Sequence, residues 1–151
     1  MKIEEALQTN KFRDQKHKGV LNLLYTAYWM KIQINSVLKS YNLTNEQFNV
    51  LRILRGSLPK HLCVKDIAER MIEKSPNVPR ILERLFRDGL IERKQSETDR
   101  RESVSIISAK ALGILANLDQ KIIDKENESM KISEQEAEIL NRLLEQIRSS
   151  D

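Results

Sequence analysis

Ser75 to Ile107, SPNVPRILERLFRDGLIERKQSETDRRESVSII, is the stretch on which the reading of the whole chain turns. At about 100° per residue, Val78, Ile81, Leu82 and Leu85 share one face of a helix, while Asn77, Arg80, Arg84 and Arg87 gather nearly opposite. One face is apolar, and the other carries guanidinium groups and a carboxamide. Arginine can donate a forked pair of hydrogen bonds to guanine O6 and N7, and asparagine can make the equivalent pair with adenine. The helix is expected to stop at Asp88-Gly89, where glycine tolerates the left-handed backbone that closes a C-terminus.

Two short strands follow, Leu90 to Lys94 and Ser103 to Ile107, and the serines in the second predict that Val104 and Ile106 point inward. Gln95 to Glu102 forms a polar tip. Within it, Asp99-Arg100-Arg101 sets a carboxylate beside two guanidiniums, an arrangement that can orient an arginine into a narrow minor groove. An ordinary surface hairpin with solvated charges would carry the same residues, but a cationic helix directly before it favours DNA.

Reading outward, Ala68-Glu69-Arg70-Met71, Val78, Arg80 to Leu85, Asp88 to Arg93 and Asp99-Arg100-Arg101 together resemble the winged helix-turn-helix of MarR-type bacterial transcription regulators. Tyr25, Trp29, Tyr41, Gln47 and Asn49 to Gly56 extend the likeness upstream, so that it covers the chain from about Phe12 onward. The resemblance implies a mainly helical fold with a small antiparallel β wing. It also implies a homodimer, a pseudo-palindromic double-stranded operator, repression as the usual mode, and release by a small-molecule effector or oxidant. Two positions depart from the family pattern. Pro79 stands where serine or threonine is common, and Ala111 replaces a usual glycine, with Gly113 two residues later.

At 151 residues the chain suits a single domain. Residues 1–41 and 108–151 read as a helical dimerisation region and residues 42–107 as the winged helix-turn-helix. A hydrophobic fraction of 40% with 32% charged residues describes a folded, charged-surface protein and excludes a disordered one. With no membrane-length apolar run, no signal-peptide pattern and one cysteine, a cytoplasmic location is expected. Net charge is +4, unevenly distributed. Residues 1–108 carry 20 Lys and Arg against 13 Asp and Glu, whereas residues 109–151 carry 6 against 9. The basic portion is the one that phosphate neutralisation requires.

Residues 1–10 read as a weakly held end or a short helical lead-in. Between Phe12 and Tyr41, Val20, Leu21, Leu24, Tyr25, Tyr28, Ile32, Val37 and Leu38 recur at helical intervals, giving more apolar surface than one small domain hides. A helix shared with a second copy is preferred over one packed within its own subunit. Tyr25, Tyr28 and Trp29 are candidates for lining an effector cavity, although aromatics at this spacing commonly serve as plain core. Thr44-Asn45-Glu46-Gln47 is a capping box, and the helix it opens runs to Gly56. Ser57 to Cys63 is a loop, Val64 to Met71 the first helix of the reading motif, and Ile72 to Ser75 its turn. Ser75 is the expected N-cap of the second helix, an assignment that suits Pro76 but leaves Pro79 removing a backbone bond unless the helix starts later. Ser108 caps a further helix with a stripe of Leu112, Leu115, Leu118, Ile122 and Ile123. Ser133 to Glu136 caps a last one, in which Leu140, Leu143, Leu144 and Ile147 form a stripe for a twin helix across a two-fold axis.

These placements assign Asn77, Arg80 and Arg84 to base edges or nearby phosphates. Ser75, Arg87 and Lys94 fall to the backbone and Arg101, steadied by Asp99, to the minor groove, while Arg100 can also point to solvent. Enzymatic chemistry finds no support: His17 and His61 are far apart, no metal-ligand spacing or glycine-rich phosphate loop is present, and no cofactor is implied. Cys63 reads as a small buried residue, with a redox-responsive role as the alternative. A winged-helix adaptor that binds protein without reading DNA is the other competing class.

Overall fold

The computed structural model describes residues 1–96 and 101–149. Its elements run α1 (Ile3–Leu7), α2 (Gln15–Leu38), a 3-10 turn (Lys39–Tyr41), α3 (Asn45–Arg55), β1 (Leu62–Cys63), α4 (Val64–Arg70), α5 (Val78–Arg87), β2 (Ile91–Gln95), β3 (Ser103–Ile107), α6 (Ala109–Ser129) and α7 (Glu134–Arg148). The fold is mainly helical, with a small antiparallel wing between two sets of terminal helices.

Short local signals fix most helix starts. The hydroxyls of Thr44, Ser108 and Ser133 accept from the backbone N–H three residues on, and Gln47 and Glu136 complete the two expected capping boxes. At the end of α5, Gly89 takes φ +70°. There Gly89 N–H donates to Phe86 O at 3.0 Å and Leu90 N–H to Leu85 O at 2.8 Å, the double bond of a Schellman closure. Leu90 is buried at that corner, so the same turn ends the helix and launches the wing.

The structure corrects four sequence expectations. The wing has three strands, in order β1-β3-β2, because Leu62 and Cys63 pair with Ser105 and Val104. The parity of β3 is reversed: Ser105 and Ile107 face inward beside Leu62 and Ile91, and Val104 and Ile106 are half-exposed. Strand β1 lies beside β3 in the same sheet, with buried Leu62 opposite Ser105, and the inward face meets α3, so a small serine sits where alternation alone placed the larger residues. Asn77, not Ser75, is the N-cap of α5. Pro79 is therefore the second helical residue, and its missing N–H has no intrahelical partner to lose. Finally, Cys63 is half-exposed because it lies in the outermost strand.

The core packs α3, α4 and α5 against the wing and the first half of α6, with Leu51, Leu54, Ile67, Leu85 and Leu115 all buried. The terminal helices pack differently. Among the 24 residues of α2 only Leu38 is buried, while Leu24 and Tyr28 are each 63% exposed. No residue of α7 is buried, and Ile139, Leu143 and Ile147 are exposed along it. Along the α6 stripe, Leu115, Leu118 and Ile122 are buried, Leu112 is half-buried and Ile123 is exposed. The lead-in α1 is held by buried Ile3 and by a Glu4–Lys18 ion pair. No helix among the described residues is long and apolar enough to cross a membrane.

Candidate nucleic-acid interface

The α5 helix is seated by Val78, Leu82 and Leu85, all buried, with Ile81 half-buried beside them. Helical geometry then turns Asn77, Arg80, Arg84 and Arg87 away from the core within an arc of about 80°. Asn77, Arg80 and Arg84 are exposed. The Asn77 carboxamide makes no cap bond, and neither arginine has an ion pair among the described residues. Two guanidiniums and a carboxamide thus stand ready to bond elsewhere. Arg87 differs, since its Nε lies 3.8 Å from Asp88 Oδ1. Ser75 serves the turn before the helix, its hydroxyl accepting from Asn77 N–H at 3.1 Å.

The turn between α4 and α5 is anchored from several sides. Ile72 N–H donates to Asn49 Oδ1 at 3.0 Å, and the Lys74 ammonium closes the end of α4 by bonding the carbonyls of Ala68 and Glu69. Lys31 of α2 reaches Glu73 at 2.7 Å across 42 residues of sequence. On the far side, Arg55 of α3 makes two 2.9 Å bonds to Asp119 of α6, a forked pair that fixes the reading motif to the long helix. None of these long-range contacts was visible in the sequence.

In the wing, Lys94 is exposed on β2, and Arg101 is exposed at the start of the return. Asp99 and Arg100 lie outside the described residues. Ser108 joins wing, α5 and α6: its hydroxyl accepts from Ala111 N–H and donates to Gly89 O at 2.8 Å. Lys110 adds a bond to Asp88 O at 2.8 Å.

Two of the cavities beside α2 bear on the expected effector site. One of about 320 Å³, largely apolar, lies among α2, α3 and the α4–α5 turn, lined by Met30, Ile34, Phe48 and Met71 with Lys31 and Arg52. The Arg52 guanidinium sits 5.7 Å from the Phe48 ring centroid. Tyr25 and Trp29 line the other cavity, together with α1, and Tyr28 stands exposed. Cys63 lines an open depression with Lys60, His61, Asp66 and Lys94. Among the described residues no cluster of potential metal ligands occurs.

The same architecture is found among known proteins. The MarR family model matches residues 43–103. The HTH-type transcriptional regulator MgrA of Staphylococcus aureus is 34% identical over 134 residues, covering 85% of this chain and 89% of that protein. The chain belongs to the MarR family. Its function is accordingly that of a DNA-binding transcription regulator, not an enzyme. Solved MarR structures share the fold at lower identity. A MarR-like regulator from Bacillus cereus superposes with a TM-score of 0.80 at 19% identity, covering 89% of this chain and 96% of that one. A mutant E. coli MarR in complex with operator DNA gives 0.77 at 19% identity, covering 84% and 91%.

Proposed function

We propose that this MarR-family regulator binds a pseudo-palindromic operator as a homodimer, represses from it, and is released by a small effector. The observation that carries the reading is the outward face of α5, where Asn77, Arg80 and Arg84 are exposed and neither arginine has an ion pair among the described residues. One such helix reads only a few base pairs. Two copies held about 34 Å apart, one turn of duplex, select a palindrome. The exposed apolar faces of α2 and α7 support the pairing, because a 15-residue helix with no buried side chain gains little stability alone. Arg101 serves the minor groove, with Ser75, Arg87 and Lys94 at the backbone. The cavity between α2 and α3 supports effector control. A ligand there touches both the long helix and the reading motif, and it shifts DNA affinity only by binding one arrangement of the two better.

Selection of bound duplexes from a random pool tests this. The expected product is one symmetric site with half-sites a helical turn apart. Arg80→Ala should relax preference at one position of each half-site by about tenfold or more, and Arg101→Ala should weaken binding with folding intact. Recovery of asymmetric or unrelated sequences overturns the reading.

A further inference from the structure

Further cations, beyond those of the wing, meet the C-terminal half of α5. A groove of about 480 Å³ lies where the end of α2, the 3-10 turn and the start of α3 meet α5, lined by Lys31, Lys39, Asn42, Asn45, Glu46 and Arg84, among others. Lys31 is committed to Glu73. Lys39 and Arg84 are exposed, and neither has an ion pair among the described residues. Unpartnered like charges in one groove repel each other unless an anion enters, and Glu46 is a single carboxylate against them.

Lys39 is displayed from a fixed support. Leu38 and Leu43 are buried on either side of the turn. Asn42 adopts φ +54° and donates its N–H to Lys39 O at 3.2 Å. Tyr41 is held from α6 by Lys121, whose ammonium is 2.9 Å from the hydroxyl and 5.1 Å from the ring centroid. A cation on so fixed a turn loses little backbone entropy on meeting a partner.

Arg84 belongs both to this groove and to the outward arc of α5, so the groove reaches that arc one helical turn from Arg80. We propose that Lys39, with the Asn42 carboxamide beside it, binds a backbone phosphate flanking the base pairs read by α5, extending each half-site beyond the helix and wing. The proposal rests on the docking of α5 described above. It predicts a contact without sequence information, since a phosphate carries none.

The test measures binding to the selected duplex and to a scrambled duplex across a salt series. With one Lys39 on each half-site, Lys39→Gln should lower the slope of log affinity against log salt by about 1.8 and weaken binding roughly 60-fold at 0.1 M salt. The loss should be equal for both duplexes, should be reversed in Lys39→Arg, and should be absent in Lys131→Gln between α6 and α7. An unchanged slope in Lys39→Gln, while Arg80→Ala loses sequence preference, removes the groove from the interface and leaves the α5 reading standing. Weakening confined to the selected duplex at constant slope also overturns the phosphate role. If Arg80→Ala retains full preference, the docking of α5 itself is wrong and the proposal falls with it.

Discussion

Ser108 joins three parts of the interface through one hydroxyl, which makes its removal a sharp test of how the reading helix is held. The residue is 7% exposed and caps α6 by accepting from Ala111 N–H at 3.2 Å. The same oxygen donates at 2.8 Å to Gly89 O, in the turn that closes α5. Ser108→Ala loses both. A serine N-cap is worth about 1 kcal/mol, and a side-chain hydrogen bond of this kind about 1 kcal/mol net. The expected destabilisation is therefore about 2 kcal/mol, or about 4–8 °C in Tm for a chain of this size. Ser108→Gly separates the two contributions. Glycine costs an N-cap only a few tenths of a kcal/mol, so this variant should lose about two-thirds as much. Ser108→Thr, which keeps the hydroxyl, should stay near the parent. Urea unfolding at one fixed subunit concentration measures all three, because the proposed dimerisation would make the midpoint concentration-dependent. A Ser108→Ala loss under about 0.5 kcal/mol would refute the dual role. So would a glycine variant as damaged as the alanine.

Two further outcomes test the terminal helices. Leu143→Asp combined with Ile147→Asp places carboxylates on exposed apolar positions of α7 and should convert a dimer to a folded monomer in sedimentation, with unchanged core stability; a persisting dimer excludes α7 from the interface. Glu136 receives hydrogen bonds from the Ser133 backbone N–H and hydroxyl, and these hold its carboxyl below the ordinary value of 4.5. Because the folded form binds its proton less readily than the unfolded one, this contribution is complete above about pH 4.5 and is lost as pH falls through the lowered folded value. Far-UV helicity should fall further over that acid range in the parent than in Glu136→Gln, and equal acid losses would remove the capping box from α7 stability.

What the sequence made legible was local. The caps at Thr44, Ser108 and Ser133 each rest on a residue and its neighbour three positions on, and the closure at Gly89 needs one left-handed residue. The apolar faces of α5 and α7 follow from helical periodicity alone. The features that escaped are those set by partners distant in the chain. A two-residue strand gives no periodic signal, and Leu62–Cys63 becomes β1 only because β3 lies alongside it. With β1 paired along the edge of β3, Ser105 lies opposite buried Leu62 on the inward face, and the parity expected from Val104 and Ile106 inverts. The candidate site divides in the same way. The cations of α5 were readable as a helical face, whereas the groove joining Lys39 to Arg84 combines residues from separate elements that no spacing rule connects.

The contacts between reading motif and long helices also constrain how an effector could act. The Arg55–Asp119 fork and the Tyr41–Lys121 contact tie the motif and the end of α2 to α6. Across the α2–α3 cavity, by contrast, the polar links are the Asn45 amide bond to Lys31 O at 3.2 Å and the Lys31–Glu73 pair, whose side chains are 39% and 55% exposed. An exposed pair of this sort is worth at most about 1 kcal/mol. Moving a two-state population from 1:99 to 99:1 requires about 5.5 kcal/mol of differential binding. Breaking the Lys31–Glu73 pair is therefore easy but insufficient. The remaining preference must come from the apolar wall of Met30, Ile34, Phe48 and Met71, a contact that the proposed homodimer would double. A ligand that merely captures Lys31 should leave DNA affinity almost unchanged, whereas one that also fills the apolar wall should lower it.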